Sequence, residues 1–371
     1  MMKKEIRLLA GVLMAAGIVT GCGSKPAETT AAATEAATTV AETTAAATEA
    51  ATTAAETTAA EVNTDGGLRT GMAVVTTTGS SKDAGDKDGN AQVDSVAAVV
   101  VVDADGKIVN CMIDTAQTKM AFTAEGKVIM ADDFKTKKEL GDEYGMRKAS
   151  AIGKEWFEQA EAVEQYVIGK TADEVEGIAV DETTKTTEPD LLAGATIKIG
   201  SYVQAITEAA RESQVIGTQE GDKLGLGIVT NMSKSKDAED GKEGQCQAYS
   251  TYVATTTDAD GKITAAVIDA SQGTVKFDTT GKITSDLTEA VQTKRQLGDA
   301  YGMKKASAIG KEWYDQAAAM ESFMIGKTAD EVAGIAVDDE GKTTDADLVS
   351  SVTISVDAFQ AAALKAAADA K

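Results

Sequence analysis

The chain has 371 residues, with 36 Lys and Arg against 59 Asp and Glu, a net charge of −23 and no histidine. That balance excludes a nucleic-acid binder, whose phosphate contacts need clustered Lys and Arg. The missing histidine excludes Ser-His-Asp and Cys-His catalysis, histidine-ligated zinc and a histidine pH switch.

An apolar fraction of 43% permits a core, but with 4% aromatic residues that core must be mostly Ala, Val, Ile, Leu and Met. The length allows about two domains. The N-terminus opens with Lys3, Lys4 and Arg7, followed by an apolar run from Leu8 to Val19 that is too short to span a bilayer comfortably. Val19-Thr20-Gly21-Cys22 comes next and resembles a bacterial lipobox, in which small residues precede a Cys that is acylated and becomes the first mature residue. This implies a signal peptide over 1–21, a lipid on Cys22 and an extracytoplasmic protein tethered to the bacterial cell membrane. An ordinary signal peptide with an incidental Cys is the competing reading.

Residues 27–39 read AETTAAATEAATT, and 41–53 repeat them. The span 22–65 is almost wholly Ala, Thr and Glu and holds nothing that could build a core, so a disordered tether is expected. Fully extended, such a tether reaches roughly 140 Å at most.

The remainder carries an internal repeat. Residues 144–181 and 301–338 are identical at 29 of 38 positions, at an offset of 157. A period that long implies tandem domains, not a solenoid. The polar, turn-rich TQEGD at 218–222 places the two repeats at 66–218 and 222–371, each expected to fold alone.

Each repeat has the same expected order. Strands open at Gly71–Thr77 and Leu226–Met232. In the first repeat, Val93–Val102 and Ile108–Ile113 flank Ala104-Asp105-Gly106-Lys107, a hairpin signal. A further strand pair surrounds Glu125-Gly126, and a long helix is expected from Arg147 to Val167, with Ile152, Trp156, Ala160, Val163 and Val167 as its apolar stripe. Gly169 suits the helix end, and Thr171 with Glu174 forms a capping-box pattern for a short second helix. A strand at Thr196–Ile199 and a terminal helix capped by Ser201 complete the unit. Strands first and helices later predict an α+β fold: two tandem repeats, each an antiparallel sheet packed with helices.

Near the end of the first repeat stands Asp190-Leu191-Leu192-Ala193-Gly194-Ala195-Thr196. It resembles the attachment motif of the FMN-binding domain family: Asp, two apolar residues, Ser or Thr, Gly, Ala, then Thr or Ser. The upstream Asp-Gly-Lys-Ile hairpin is similar too. The resemblance implies covalent FMN on the Thr196 hydroxyl, transferred from FAD by a separate Mg²⁺-dependent flavin transferase, in a surface lipoprotein that carries electrons to a redox partner. It implies roles for Asp190 in orienting the acceptor and for Gly194 and Ala195 in leaving the backbone open to the transferase.

The second repeat reads Asp347-Leu348-Val349-Ser350-Ser351-Val352-Thr353, and a β-branched Val352 beside the acceptor is expected to hinder loading of Thr353. Ala193 departs from the usual Ser or Thr, and a Glu-Thr-Pro-Gly element of many members is absent. The alternative is a flavin-free surface lipoprotein that binds a small ligand, a wall component or a partner protein. On either reading the chain is a carrier or binding protein before it is a stand-alone enzyme, and no catalytic nucleophile is supported.

Other features read as structural. Trp156 and Trp313 fit a core better than a flavin stack. Asp83, Asp86, Asp88 and Asp94 lack EF-hand spacing and read as a solvated loop. Arg147, Lys148 and Lys154, with Lys304, Lys305 and Lys311, read as exposed helix faces, or as receivers of a flavin phosphate. Cys111 and Cys246 are not repeat-equivalent. The compartment allows a disulfide between them, and a buried free Cys111 is the stronger reading.

Overall fold

A computed structural model describes residues 67–371. The expected signal peptide, lipidated Cys22 and tether lie outside the described residues.

The first half opens with three long antiparallel strands, β1 (Arg69–Thr77), β2 (Gly89–Val102) and β3 (Ile108–Phe122), and adds a short β4 (Val128–Ile129) on the edge of β3. The β2–β3 turn forms because Asp103 Oδ1 accepts the amides of Asp105 (3.0 Å) and Lys107 (2.8 Å) while Gly106 takes φ +81°. Helices follow: α1 (Lys137–Leu140), α2 (Trp156–Val167), α3 (Ala172–Glu176), α4 (Pro189–Leu192) and α5 (Gly200–Arg211). The second half has β5 (Lys223–Asn231), β6 (Gly244–Thr257) and β7 (Ile263–Phe277) in one antiparallel sheet. After them come α6 (Lys294–Leu297), α7 (Trp313–Met324), α8 (Ala329–Ala333) and α9 (Asp357–Ala368). The fold is α+β, with two antiparallel sheets each packed with helices.

Each sheet buries both faces. Toward its helices, the first sheet sets Ala98, Val100 and Val102 against Trp156, Val163 and Ile206 of α2 and α5. Toward the other sheet, the alternate residues Ala97, Val99 and Val101 meet Leu224, Leu226 and Ile228 of β5 and Tyr252 of β6. At one end Phe122 and Phe277 stack with centroids 4.3 Å apart. The halves thus own separate helix-facing cores and share the sheet–sheet cores. An isolated half would expose this shared face.

Local corrections have simple causes. Residues 147–155 form turns, not helix. Glu155 turns its carboxylate back onto the amides of Met146 and Arg147, both at 2.8 Å, and Gly153 sits at φ +64°. α2 therefore starts at Trp156, behind a capping box made by Glu155 and Glu158. Thr196–Ile199 is not a strand; its one ladder contact is an isolated bridge from Lys198 to Lys185. Ser201 lies inside the first turn of α5, whose N-cap position is Ile199. Thr171 does cap α3 in a complete capping box. Cys111 and Cys246 are both buried free thiols, so no disulfide joins them.

Candidate functional site

Thr196 follows α4 in an irregular segment laid against α2. Its amide (2.8 Å) and its hydroxyl (3.2 Å) both donate to Oε1 of Gln159. Gln159 is fully buried, and its amide group is held by Ser150 Oγ (3.2 Å) and the Lys154 carbonyl (3.1 Å). A buried amide with its donors and acceptor engaged has one orientation, so it fixes the direction of the Thr196 hydroxyl.

Thr196 lines a cleft of about 370 Å³ whose lining also includes Lys137, Lys185, Lys198, Ser150, Trp156 and Tyr202. Lys185 and Lys198 are exposed, and Lys137 is half-buried. Among the described residues none of these three lysines takes part in an ion pair. In a chain with an acidic excess this large, three unpaired ammonium groups at one cleft form a local anion-attracting field.

The floor is aromatic. The Trp156 indole donates to the Tyr202 hydroxyl at 2.9 Å, and the two rings meet edge-on. Burial pushes the Tyr202 phenol up to about 12, so it stays neutral. Lys137 lies 5.2 Å from the Tyr144 ring centroid and 5.4 Å from that of Trp156. Burial draws its ammonium below the ordinary lysine value, and the carboxylates of Asp94 and Asp114 oppose the shift.

The motif residues fall differently from their expected roles. Asp190 is exposed on α4, and the group that orients Thr196 is Gln159. Ala195 is fully buried among the core residues, so it does not open the acceptor to an approaching enzyme. Gly194 is required by packing: a Cβ there would lie 2.7 Å from Ala162 Cβ on α2. Gln159 was missed because a glutamine inside an apolar helical stripe carries no local signal. The one hint was its recurrence as Gln316 in the repeat.

The same frame surrounds Thr353. Its amide and hydroxyl bond Gln316 Oε1 at 2.8 and 3.2 Å. Val352 is fully buried, like Ala195, so its branched side chain does not crowd the acceptor. The difference lies in charge. Ser355 replaces Lys198 and bonds Asp357, while Lys342, the counterpart of Lys185, is paired with Glu340 at 2.6 Å.

Lys294, the counterpart of Lys137, is enclosed by the rings of Tyr249 (4.5 Å), Tyr301 (4.7 Å) and Trp313 (5.0 Å) and donates to the Tyr249 hydroxyl at 2.6 Å. Burial brings this ammonium down to about 7 from its ordinary 10.5, with Asp269 opposing. The unfolded chain therefore holds more protons than the folded one between those values, and folding stability should rise with pH across that window. Lys294→Met should remove up to about 1.4 kcal/mol per pH unit of that slope. Urea titrations from pH 6 to 10 check this, and an unchanged slope would contradict it.

Among the described residues no group of three or more acidic or Cys side chains converges as a metal site. Asp83 instead accepts the amide of Ile283 at 2.8 Å. Arg147 is exposed and paired with Asp142 and Glu158. Among the described residues no helix is long and apolar enough to cross a membrane.

No family model matches this chain, and no solved structure matches it. It is 30% identical over 103 residues to a chlorophenol reductase of Desulfitobacterium hafniense, an overlap that covers 28% of this chain and 29% of that protein.

Proposed function

We propose that this chain is a membrane-anchored, extracytoplasmic electron carrier built from a duplicated FMN-binding-like module, with FMN joined covalently to Thr196. One observation carries the reading: a threonine whose hydroxyl is set by a buried glutamine lines a cleft with three lysines free of ion pairs and an aromatic floor. These groups fit an anionic, planar cofactor. Lys185 and Lys198 would neutralise the phosphate, and Lys137, Trp156 and Tyr202 would bound the ring system. FMN held there would supply one- and two-electron chemistry. The partial likeness to a chlorophenol reductase supports a redox association.

Loading needs a flavin transferase with Mg²⁺. The phosphoanhydride of FAD breaks, the FMN phosphate joins Thr196 Oγ1, and AMP leaves as the hydroxyl proton is released. Thr353 has the same hydrogen bonds but fewer free cations, so it should load less. In-gel flavin fluorescence of the denatured protein, made with and without a coexpressed transferase, tests this. Fluorescence that depends on the transferase is expected, and a dark band beside a fluorescent control substrate would refute the assignment.

The anchor rests on the lipobox-like Val19–Cys22. Cys22→Ala should move the protein from the detergent phase to the aqueous phase, and a processed form that still partitions into detergent would overturn it.

A further inference from the structure

The two halves meet along two equivalent seams, and only one is filled. In one seam Leu224 and Lys371 exchange backbone hydrogen bonds (3.0 and 3.1 Å); in the other Thr70 and Gln214 do so (2.8 and 3.0 Å). Lys371 and Gln214 thus occupy matching backbone positions.

Opposite each lies a matching glutamate, Glu164 on α2 or Glu321 on α7. Each accepts a β-strand amide, from Ile113 or Ile268, and each pairs with a cation from the short helix before it, Lys138 or Arg295. At the first seam Lys371 Nζ adds a second cation, 2.6 Å from Glu164 Oε2, and the Glu164 side chain is 1% exposed. At the second seam Gln214 stands where Lys371 would, no second cation among the described residues reaches Glu321, and its side chain is 16% exposed.

The space follows the chemistry. The first seam keeps a cleft of about 220 Å³, whereas the second opens into a cavity of about 510 Å³ lined by Glu321, Asp269, Gln214 and Ser213, and by Arg295 and Arg211, whose guanidinium groups are already paired with Glu321 and with Asp173 and Glu176. Ala266 also lines the second cavity, at the position equivalent to Cys111 in the first half.

We propose that this cavity binds a small primary aliphatic amine, whose ammonium sits on the open oxygen of Glu321 as the Lys371 ammonium sits on Glu164. The chain itself displays the recognition: an alkylammonium arm on a nearly buried carboxylate already pinned by one cation and one backbone amide. A primary amine brings three N–H donors to a site offering the open carboxylate oxygen, the Gln214 side chain and the Ser213 hydroxyl, which donates to the Ala210 carbonyl at 2.7 Å and keeps its lone pairs for accepting. The site lies apart from the Thr196 cleft and shares none of its lining residues.

The probe is n-butylammonium chloride, a lysine side-chain mimic, titrated into the whole chain at low ionic strength by calorimetry. Tetramethylammonium chloride, which has no N–H donor, controls for screening of the acidic surface. One n-butylammonium per chain is expected, and Glu321→Gln should weaken it about tenfold or more. Gln214→Lys should fill the cavity from within, abolish binding and raise the melting temperature. Lys371→Ala should open the first seam and add a second site. If Glu321→Gln does not fold, Gln214→Lys decides. Heats no larger than those of tetramethylammonium, or full binding retained in Gln214→Lys, would overturn the proposal.

Discussion

Thr196→Val should fold normally and lose most of its covalent flavin, to below about a tenth of the wild-type load in the presence of transferase. The reasoning is local. Valine keeps the β-branched shape and the backbone amide that donates to Gln159, and it deletes only the hydroxyl. The deleted hydrogen bond leaves Gln159 Oε1 still paired with that amide, so the stability cost should stay near 1 kcal/mol. Residual flavin should sit on Thr353, whose hydroxyl is held by Gln316 in the same way. Flavin absorbance per denatured chain measures it. Gln159→Leu makes the complementary case: the acceptor oxygen remains but its orientation is lost, so loading should slow while the acceptor site stays the same.

The largest stability effect is expected at Gly227→Ala. β5 passes under α9 so closely that a Cβ on Gly227 would lie 1.9 Å from the Ala362 carbonyl oxygen and 2.7 Å from the Ala366 amide nitrogen. Both are backbone atoms inside a helix, so neither can swing away as a side-chain tip can. The helix must lift, and its contacts with the second sheet through Phe359, Ala362 and Ala363 loosen together. A loss of about 3 kcal/mol is expected, at the upper end for overpacking one methyl group. Denaturant midpoints check it; a change below about 0.5 kcal/mol, the range of ordinary surface substitutions, would mean that α9 does not rest on this strand.

Much of the fold was legible because its signals are local. Asp103 and Gly106 make their turn within five residues, and Thr171 with Glu174 caps α3 within one helical turn. The sheet–sheet face had a signal too. Val96–Val102 is apolar without alternation, as a strand buried on both faces must be, and alternate residues of it do enter two different cores. What could not be read depends on distant partners. Glu155 delays the start of the expected long helix by folding back on Met146 and Arg147, and nothing in the periodicity shows that choice. At the candidate site, Thr196 is singled out by its motif. Lys198 stands two residues further along the same segment, whereas the residue that aims Thr196, Gln159, and the other two lysines, Lys137 and Lys185, come from three segments that only the fold brings to it. Ala195 and Val352 are buried for the same kind of reason: side-chain direction is set by the core they enter.

Peptide-level mass spectrometry of the chain coexpressed with a flavin transferase tests the central claim most directly. The account predicts that the peptide containing Thr196 carries one FMN as a phosphoester, with the peptide containing Thr353 modified to a lesser extent. An unmodified Thr196 peptide, obtained while the same transferase flavinylates a control protein, would contradict it.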